Sequence, residues 1–222
     1  LGRSEDEDHH EVTISESFWM GKHAMTQAQY EAVMGVNPSR FKGDGIFGLF
    51  KSPGGPLHPV ECVSWEEAQE FLEKLNVQTV SDRPSGTSFR LPTEAEWEYA
   101  CRAGTTGDYA GDLGALAWYR KNSGGFFSKK THAVGGKAAN AWGLYDMHGN
   151  VWEWCQDLYG AYPSGTLTDP TGAARGSDRV IRGGSWGVNA RYCRSANRSI
   201  RKPDDRYCSL GFRLVLASGR ER

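Results

Sequence analysis

The sequence predicts a single α+β domain, residues 1–222, in which loops outweigh about three helices and a small sheet. Three boxes, each with a Ser or Thr hydroxyl followed three positions later by Gln or Glu, precede apolar residues at helical spacing. Short segments that alternate in polarity predict the strands. The chain has 28 Gly and 8 Trp but only 38% apolar residues, which is typical of irregular backbone held by large aromatic side chains.

The helices are predicted to start at the boxes of residues 26–29, 64–67 and 93–96. In each box the hydroxyl and the later side chain satisfy backbone amide donors reciprocally. Gly35 and Gly104 are predicted to end the first and third helices. After Gly104 the apolar residues show no helical period, so irregular backbone is expected to dominate there.

Three segments predict strands: residues 11–18, which alternate in polarity, and residues 179–182 and 211–216. The last two enclose about 28 residues without a secondary-structure pattern of their own. A loop of that length in a folded domain is more often functional than a simple connection.

Composition excludes several classes of protein. Lys and Arg number 26 against 27 Asp and Glu, so the chain has no overall field for nucleic acid or anionic lipid, and no nucleic-acid partner is expected. The sequence contains no apolar run of the roughly 20 residues that a membrane-spanning helix needs. Its five cysteines form no C-x-x-C pair, so neither a zinc site nor a dense disulfide framework is indicated.

Short motifs occur in order along nearly the whole chain. They include Phe-Arg-Leu-Pro-Thr-Glu-Ala-Glu-Trp-Glu at 89–98, Asn-Ala-Trp-Gly-Leu-Tyr-Asp-Met at 140–147, Gly-Asn-Val-Trp-Glu-Trp at 149–154, Arg-Gly-Gly-Ser-Trp at 182–186 and Gly-Phe-Arg-Leu at 211–214. In order and spacing they resemble the formylglycine-generating enzyme (sulfatase-modifying factor) family. The resemblance implies a C-type-lectin-like fold with a small twisted sheet and long loops. It fixes the fold better than the activity, because the family divides by function.

Formylglycine generators hold copper with a pair of cysteines placed shortly after the Gly-Gly-Ser-aromatic turn. Here the first thiol after Trp186 is Cys193, followed only by the distant Cys208. The pair is therefore predicted to be absent, no copper is expected, and the chain is interpreted as a non-enzyme. A copper-dependent oxidase of the formylglycine-generating or siderophore-maturation type remains the alternative.

Ergothioneine-type sulfoxide synthases form another branch, which holds iron with histidines of an additional helical domain. This chain shows no such domain, and its six histidines lack facial-triad spacing. That branch is set aside.

The chain resembles best the variable proteins of diversity-generating retroelements. In that group fixed motifs alternate with positions that mutagenic copying rewrites, and here the fixed motifs are residues 183–186, 193–198 and 210–214 within a segment of residues 180–215. The intervening positions, called the gap residues below, are the predicted ligand contacts: Gly187, Val188, Asn189, Arg191, Tyr192, Ser199, Ile200, Arg201, Asp204, Asp205, Arg206, Tyr207, Cys208 and Ser209.

The chemistry of the gap residues agrees with this interpretation. Stiff amphipathic Tyr rings, bidentate Arg donors and small Ser side chains are typical of binding surfaces. An ordinary solvated loop explains scattered Arg and Tyr equally well, and the resemblance favours binding. Val188 and Ile200 are interpreted either as apolar contacts or as core anchors of the loop.

Residues inside the fixed motifs are predicted to be structural. Arg194, Arg198 and Arg213 are expected to hold the irregular backbone by pairing with buried carboxylates. The candidate partners are Glu94, Glu96, Asp146 and Glu153. Cys193 is expected to be a packed core thiol.

The resemblance also implies a structural calcium ion. Family members often bind calcium with backbone carbonyls near Gly149 and Val151 and with the carboxylate of Glu153, which are hard oxygen ligands. The alternative is a Trp-rich core turn in which Glu153 forms a salt bridge.

The sequence thus predicts a non-catalytic, receptor-like protein with a diversified C-terminal surface, the product of a diversity-generating retroelement. Its ligand is left open among a protein, a glycan and a small molecule. A monomer is expected, exported and displayed as a cell-surface lipoprotein whose anchor segment lies outside this chain.

Overall fold

The computed structural model describes residues 7–43, 54–125 and 128–218. In chain order these residues form β1 (Val12–Thr13), β2 (Phe18–Met20), α1 (Gln27–Met34), α2 (Trp65–Gln78), β3 (Thr87–Arg90), α3 (Glu94–Arg102), α4 (Leu113–Leu116), β4 (Trp152–Leu158), β5 (Leu167–Thr168), β6 (Arg179–Arg182), β7 (Arg198–Arg201), β8 (Leu210–Gly211) and β9 (Val215–Ser218). A 3-10 helix over Ala190–Cys193 precedes β7. The predicted α+β class is confirmed.

The three predicted helices are present, and each starts with its capping box. The hydroxyls of Thr26, Ser64 and Thr93 accept hydrogen bonds from the backbone N–H groups three positions on, and the Gln or Glu side chains return the contact. Gly35 ends α1 in the left-handed region, at φ 74°. The third helix ends at Ala103 rather than Gly104.

The strand predictions succeed in part. Residues 179–182 form β6 as predicted, whereas residues 11–18 contain β1 and only the first residue of β2. The predicted strand 211–216 is wrong as a single element, because non-strand residues 212–214 separate β8 from β9. The longest strand, β4, was not predicted; its first four residues are all buried, so its sequence shows no alternation.

Two sheets build the site. One is antiparallel with the order β2-β9-β3, and the other has the order β7-β6-β4-β8, in which β4 and β8 run parallel. In the second sheet Glu153 lies opposite Arg182, and Arg182 lies opposite Arg198. The sheet therefore places the charged side chains of Glu153, Arg182 and Arg198 side by side in the interior.

Aromatic side chains dominate the core, as the Trp and Gly content predicts. Tyr30 and Phe71 stack with ring centroids 5.3 Å apart, and Phe212 meets Phe71 edge-on at 5.4 Å. Trp97 and Trp154 are fully buried. These rings join helices α1 and α2 to the chain end, so the C-terminal segment rests on a rigid base.

Candidate ligand-binding face

Most residues of the fixed motifs lie inside the protein. Gly183, Gly184 and Ser185 are buried, and both glycines adopt positive φ, 94° and 75°. A Cβ on Gly184 would stand 2.6 Å from the Sγ of Cys193, so only glycine allows this close approach. The turn therefore brings the first fixed motif against the second.

The gap residues lie at the surface. Each of the fourteen predicted ligand contacts is exposed or partly exposed, whereas Cys193, Arg194, Ser195, Asn197 and Arg198 of the fixed motif between them are buried. Burial thus follows the division into fixed motifs and gaps that the sequence predicts.

Two contacts join the three gaps into one surface. The indole N–H of Trp186, next to the first gap, donates to the carbonyl of Cys208 in the last gap at 3.0 Å. The guanidinium of Arg201, in the middle gap, lies 4.8 Å from the ring centre of Tyr207. We call this surface, formed by the gap residues, the gap face.

Arginine and tyrosine pair twice on the gap face. The Arg191 guanidinium donates to the Tyr192 hydroxyl at 2.6 Å and lies over its ring, just as Arg201 lies over Tyr207. Stacked in this way, the guanidinium keeps donors for a partner while the ring offers apolar area. Both pairs are the side-chain combination that carries binding energy at protein interfaces.

Residues far from the gaps in sequence hold the gap face in place, and sequence reasoning missed them. The N–H groups of Cys62 and Trp65 donate to the carbonyls of Tyr207 and Pro203 at 3.0 and 2.9 Å. The carboxylate of Glu67 accepts from Arg206 at 3.0 Å. The start of α2 is thus the support of the last gap, a pairing that no local pattern in the sequence indicates.

Two details correct the sequence prediction. Residues 198–201 form the regular strand β7, so the segment between residues 183 and 210 does have secondary structure of its own. Val188 packs against the core, as does part of Tyr192, whereas Ile200 is 37% exposed. Of the two interpretations of Val188, the core anchor fits the structure, and Ile200 remains an apolar group available for contact.

The predicted structural arginines are buried and paired. Arg213 donates two hydrogen bonds to the Glu153 carboxylate, at 2.6 and 2.7 Å. Arg198 donates two to the Glu94 carboxylate, both at 2.7 Å. Arg194 pairs with Glu7, which was not among the candidate partners. Two of the three arginines therefore have predicted partners, and all three hold the backbone as expected.

Two candidate carboxylates have other partners. Glu96 pairs with Arg90 at 2.6 Å, and Asp146 accepts from the N–H of Gly135 at 2.8 Å. These two candidates are held by the capping box of α3 and by the turn at 135.

The predicted calcium ligand Glu153 is occupied by other contacts. Its side chain is fully buried, and besides Arg213 it accepts the indole N–H of Trp97 at 2.7 Å. The carbonyl oxygens of Gly149 and Val151 lie in the turn before β4, and the Glu153 carboxylate accepts three hydrogen bonds, two of them from Arg213. The arrangement fits the salt bridge, and the calcium site remains a prediction.

Cys193 is a packed thiol. It is fully buried beside Leu113 and Ala117, and burial raises the pKa of its thiol to about 12. Cys208 is partly exposed on the gap face, where the Arg40 guanidinium lies 3.8 Å from its sulfur. Within the described ranges, no group of three or more His, Cys, Asp or Glu side chains could hold a metal ion.

None of the helices among the described residues is long and apolar enough to cross a membrane.

Fold and face together define a domain of the C-type-lectin-like class built on the formylglycine-generating-enzyme plan. The family model described as "Sulfatase-modifying factor enzyme 1-like domain" matches residues 1–218, and the chain belongs to this family. The recognition from sequence is thereby confirmed.

Known relatives include enzymes and a variable protein. The formylglycine-generating enzyme of Streptomyces coelicolor is 38% identical over 180 residues, which cover 73% of this chain and 54% of the relative. The enzyme of Mus musculus is 36% identical over 71% of this chain and 44% of its own length. The chain thus spans about half the length of these curated relatives.

Two solved structures are similar over nearly the whole chain. Treponema denticola variable protein 1 is 34% identical with a TM-score of 0.81, covering 95% of this chain and 87% of that one. PvdO from Pseudomonas aeruginosa is 28% identical with a TM-score of 0.75, covering 98% and 87%.

Proposed function

We propose that this chain is a non-catalytic, receptor-like protein that binds its ligand through the gap face. The observation that carries the proposal is the match between burial and motif: most residues of the fixed motifs are buried, none of the gap residues is, and contacts join the gap residues into one surface. A surface with interchangeable side chains on a fixed support is suited to recognition, since catalysis needs particular groups in fixed positions.

The likeness to a variable protein supports this proposal. Treponema denticola variable protein 1 is 34% identical over 95% of this chain and 87% of that one. We infer that the gap residues of this chain are diversified by a retroelement. The ligand class stays open among protein, glycan and small molecule.

The oxidase alternative rests on the likeness to formylglycine-generating enzymes. It would need a reactive thiol after Trp186, and the first thiol there, Cys193, is buried with a raised pKa. Thiolate is the reactive form, so this burial favours the binding function. Export, display as a lipoprotein and a monomeric state rest on the resemblance alone and belong to the proposal.

Genomic context tests the diversification. A reverse transcriptase gene beside a near-repeat of the codons for residues 180–215, differing at adenines, is the expected finding. A sulfatase or siderophore cluster at the same place, without such a repeat, would favour the oxidase.

Binding itself is tested by exchanging Arg191, Tyr192, Arg201 and Tyr207 together for Ala or Ser. The variant is expected to stay folded with only a small loss in melting temperature, because three of these side chains make no core contact and only part of Tyr192 packs against the core. It should lose the ligands that the parent selects from arrays of glycans and bacterial surface proteins. A matched control exchanges Glu73 and Lys74 on α2 and should bind normally. Equal binding by parent and quadruple variant would contradict the proposal.

A further inference from the structure

The protein has a cavity of about 510 Å³ beside helix α3. It lies between residues 7–14, helix α3 and the loop that follows β4, and none of the gap residues lines it. Whatever occupies it would therefore bind independently of the gap face.

Much of the cavity wall is apolar. Val12 and Ile14 from the N-terminal segment, Tyr99 from α3, and Leu167 and Pro170 from the loop after β4 contribute it. A cavity of this size with apolar walls and a few polar groups has the dimensions of a small-molecule site.

The carboxylates around the cavity are mostly paired with arginine. Glu94 accepts two hydrogen bonds of 2.7 Å from Arg198, and Glu7 accepts two of 2.7 Å from Arg194. The two oxygens of Glu98 accept from Arg182 and Arg102. These carboxylates are already paired with arginine, so they give no reason to expect a cationic ligand beside them.

Asp157 differs from them. This residue lines the cavity, is only 2% exposed, and its carboxylate accepts one hydrogen bond, from the N–H of Glu94 to Oδ2 at 2.8 Å. Among the described residues no arginine or lysine touches it, and its Oδ1 accepts no hydrogen bond. A buried carboxylate in this position is stable only with a proton or with a cation from outside.

We propose that the cavity binds a small organic cation, namely a protonated amine carrying an apolar group, with the ammonium paired to Asp157. The apolar part would pack on the walls formed by Tyr99, Leu167 and the N-terminal segment. The amine replaces the missing partner at Oδ1, and the walls exclude water from the pair, which strengthens it.

The site predicts a pH dependence. Burial and the neighbouring Glu94 carboxylate raise the pKa of Asp157 to about 7. The other groups that face it are Glu96 of α3, Arg198 of β7, Arg179 of β6 and Cys155 of β4. Below pH 7 the amine must displace a proton, so affinity should fall about tenfold for each pH unit.

The experiment is a calorimetric titration with benzylamine at pH 8, with benzyl alcohol as the neutral control. For a ligand of this size a Kd of about 1 mM is expected. Asp157→Asn keeps the acceptor for the Glu94 N–H and should fold, but it should weaken benzylamine binding about tenfold or more. Ala95→Phe, which fills the cavity from α3, should also abolish binding, while the distant exposed Asp82→Asn should bind as the parent does.

Several results would overturn the proposal. These are benzyl alcohol binding as tightly as benzylamine, Asp157→Asn binding unchanged, or no saturable binding of benzylamine, cyclohexylamine or phenethylamine at pH 8. The melting temperature of each variant shows whether a lost signal reflects lost folding. Loss of gap-face binding with benzylamine binding intact, or the reverse, separates this site from the proposed function.

Discussion

Replacing Glu153 by Gln tests how the interior of the fold is held. The carboxylate and Arg213 are both fully buried and joined by two hydrogen bonds, so the variant leaves a guanidinium without its charge partner. Removing one partner of a buried pair costs about 3–5 kcal/mol. Since 1 kcal/mol moves the melting temperature of a chain of this length by about 2–4 °C, we expect a loss of about 6–20 °C.

The control and the double variant make this assay specific. Glu70→Gln removes the exposed pair with Lys74 and should cost about 0.5 kcal/mol or less in urea unfolding. Arg213→Met leaves the carbonyls of Gly21 and Tyr145 without their donor, so it is costly alone. The double variant should lose clearly less than the sum of the two single losses.

The same experiment separates the salt bridge from calcium. If Glu153 forms the salt bridge and binds no calcium, the melting temperature of the parent is expected to be the same in excess calcium and in chelator, because Glu153 is already paired with Arg213. A parent stabilised by calcium, combined with Glu153→Gln that costs under about 1 kcal/mol in chelator, would refute the reasoning.

Three further outcomes are expected. In the native protein a thiol reagent should modify Cys208, which is partly exposed, but not Cys193; rapid modification of Cys193, followed by peptide mass spectrometry, would revive the oxidase alternative. Ser64→Ala should cost about 1 kcal/mol in urea unfolding; no loss would mean that the box at the start of α2 is dispensable. Because burial raises the folded-state pKa of Asp157 from 3.8 to about 7, its contribution to stability is full below pH 4 and is lost as the pH rises through 7. Asp157→Asn should therefore be more stable than the parent at pH 8, and the free energy of unfolding should fall more for the parent than for the variant between pH 5 and 8. An equal fall in both proteins would contradict this.

The sequence predicts well what local chemistry determines. Each helix start is visible because a hydroxyl and a Gln or Glu side chain three positions later meet within one turn. Strand β6 is visible from the short run before the glycine turn. The division of the C-terminal segment into buried motifs and surface gaps also follows from the motifs themselves.

What the sequence could not predict depends on contacts between distant residues. Strand β4 lacks alternation because both its faces are buried, and β7 forms only because β6 lies beside it. The pairing of Glu7 with Arg194 joins positions 187 residues apart, and nothing local to either residue indicates it. The cavity has the same origin, since its walls come from four separated parts of the chain.

Backbone carbonyl oxygens, which every amino acid has, hold the gap face in place. The carbonyls of Val188, Tyr207, Cys208 and Ser209 accept hydrogen bonds from Arg120, Cys62, Trp186 and Trp152, all outside the gaps. Even proline has a backbone carbonyl, so these hydrogen bonds can form whichever side chain stands at the position. The scaffold should therefore accept many different side chains at the gap positions. It suits the building of randomised binding libraries in which the backbone shape is kept while the side chains change.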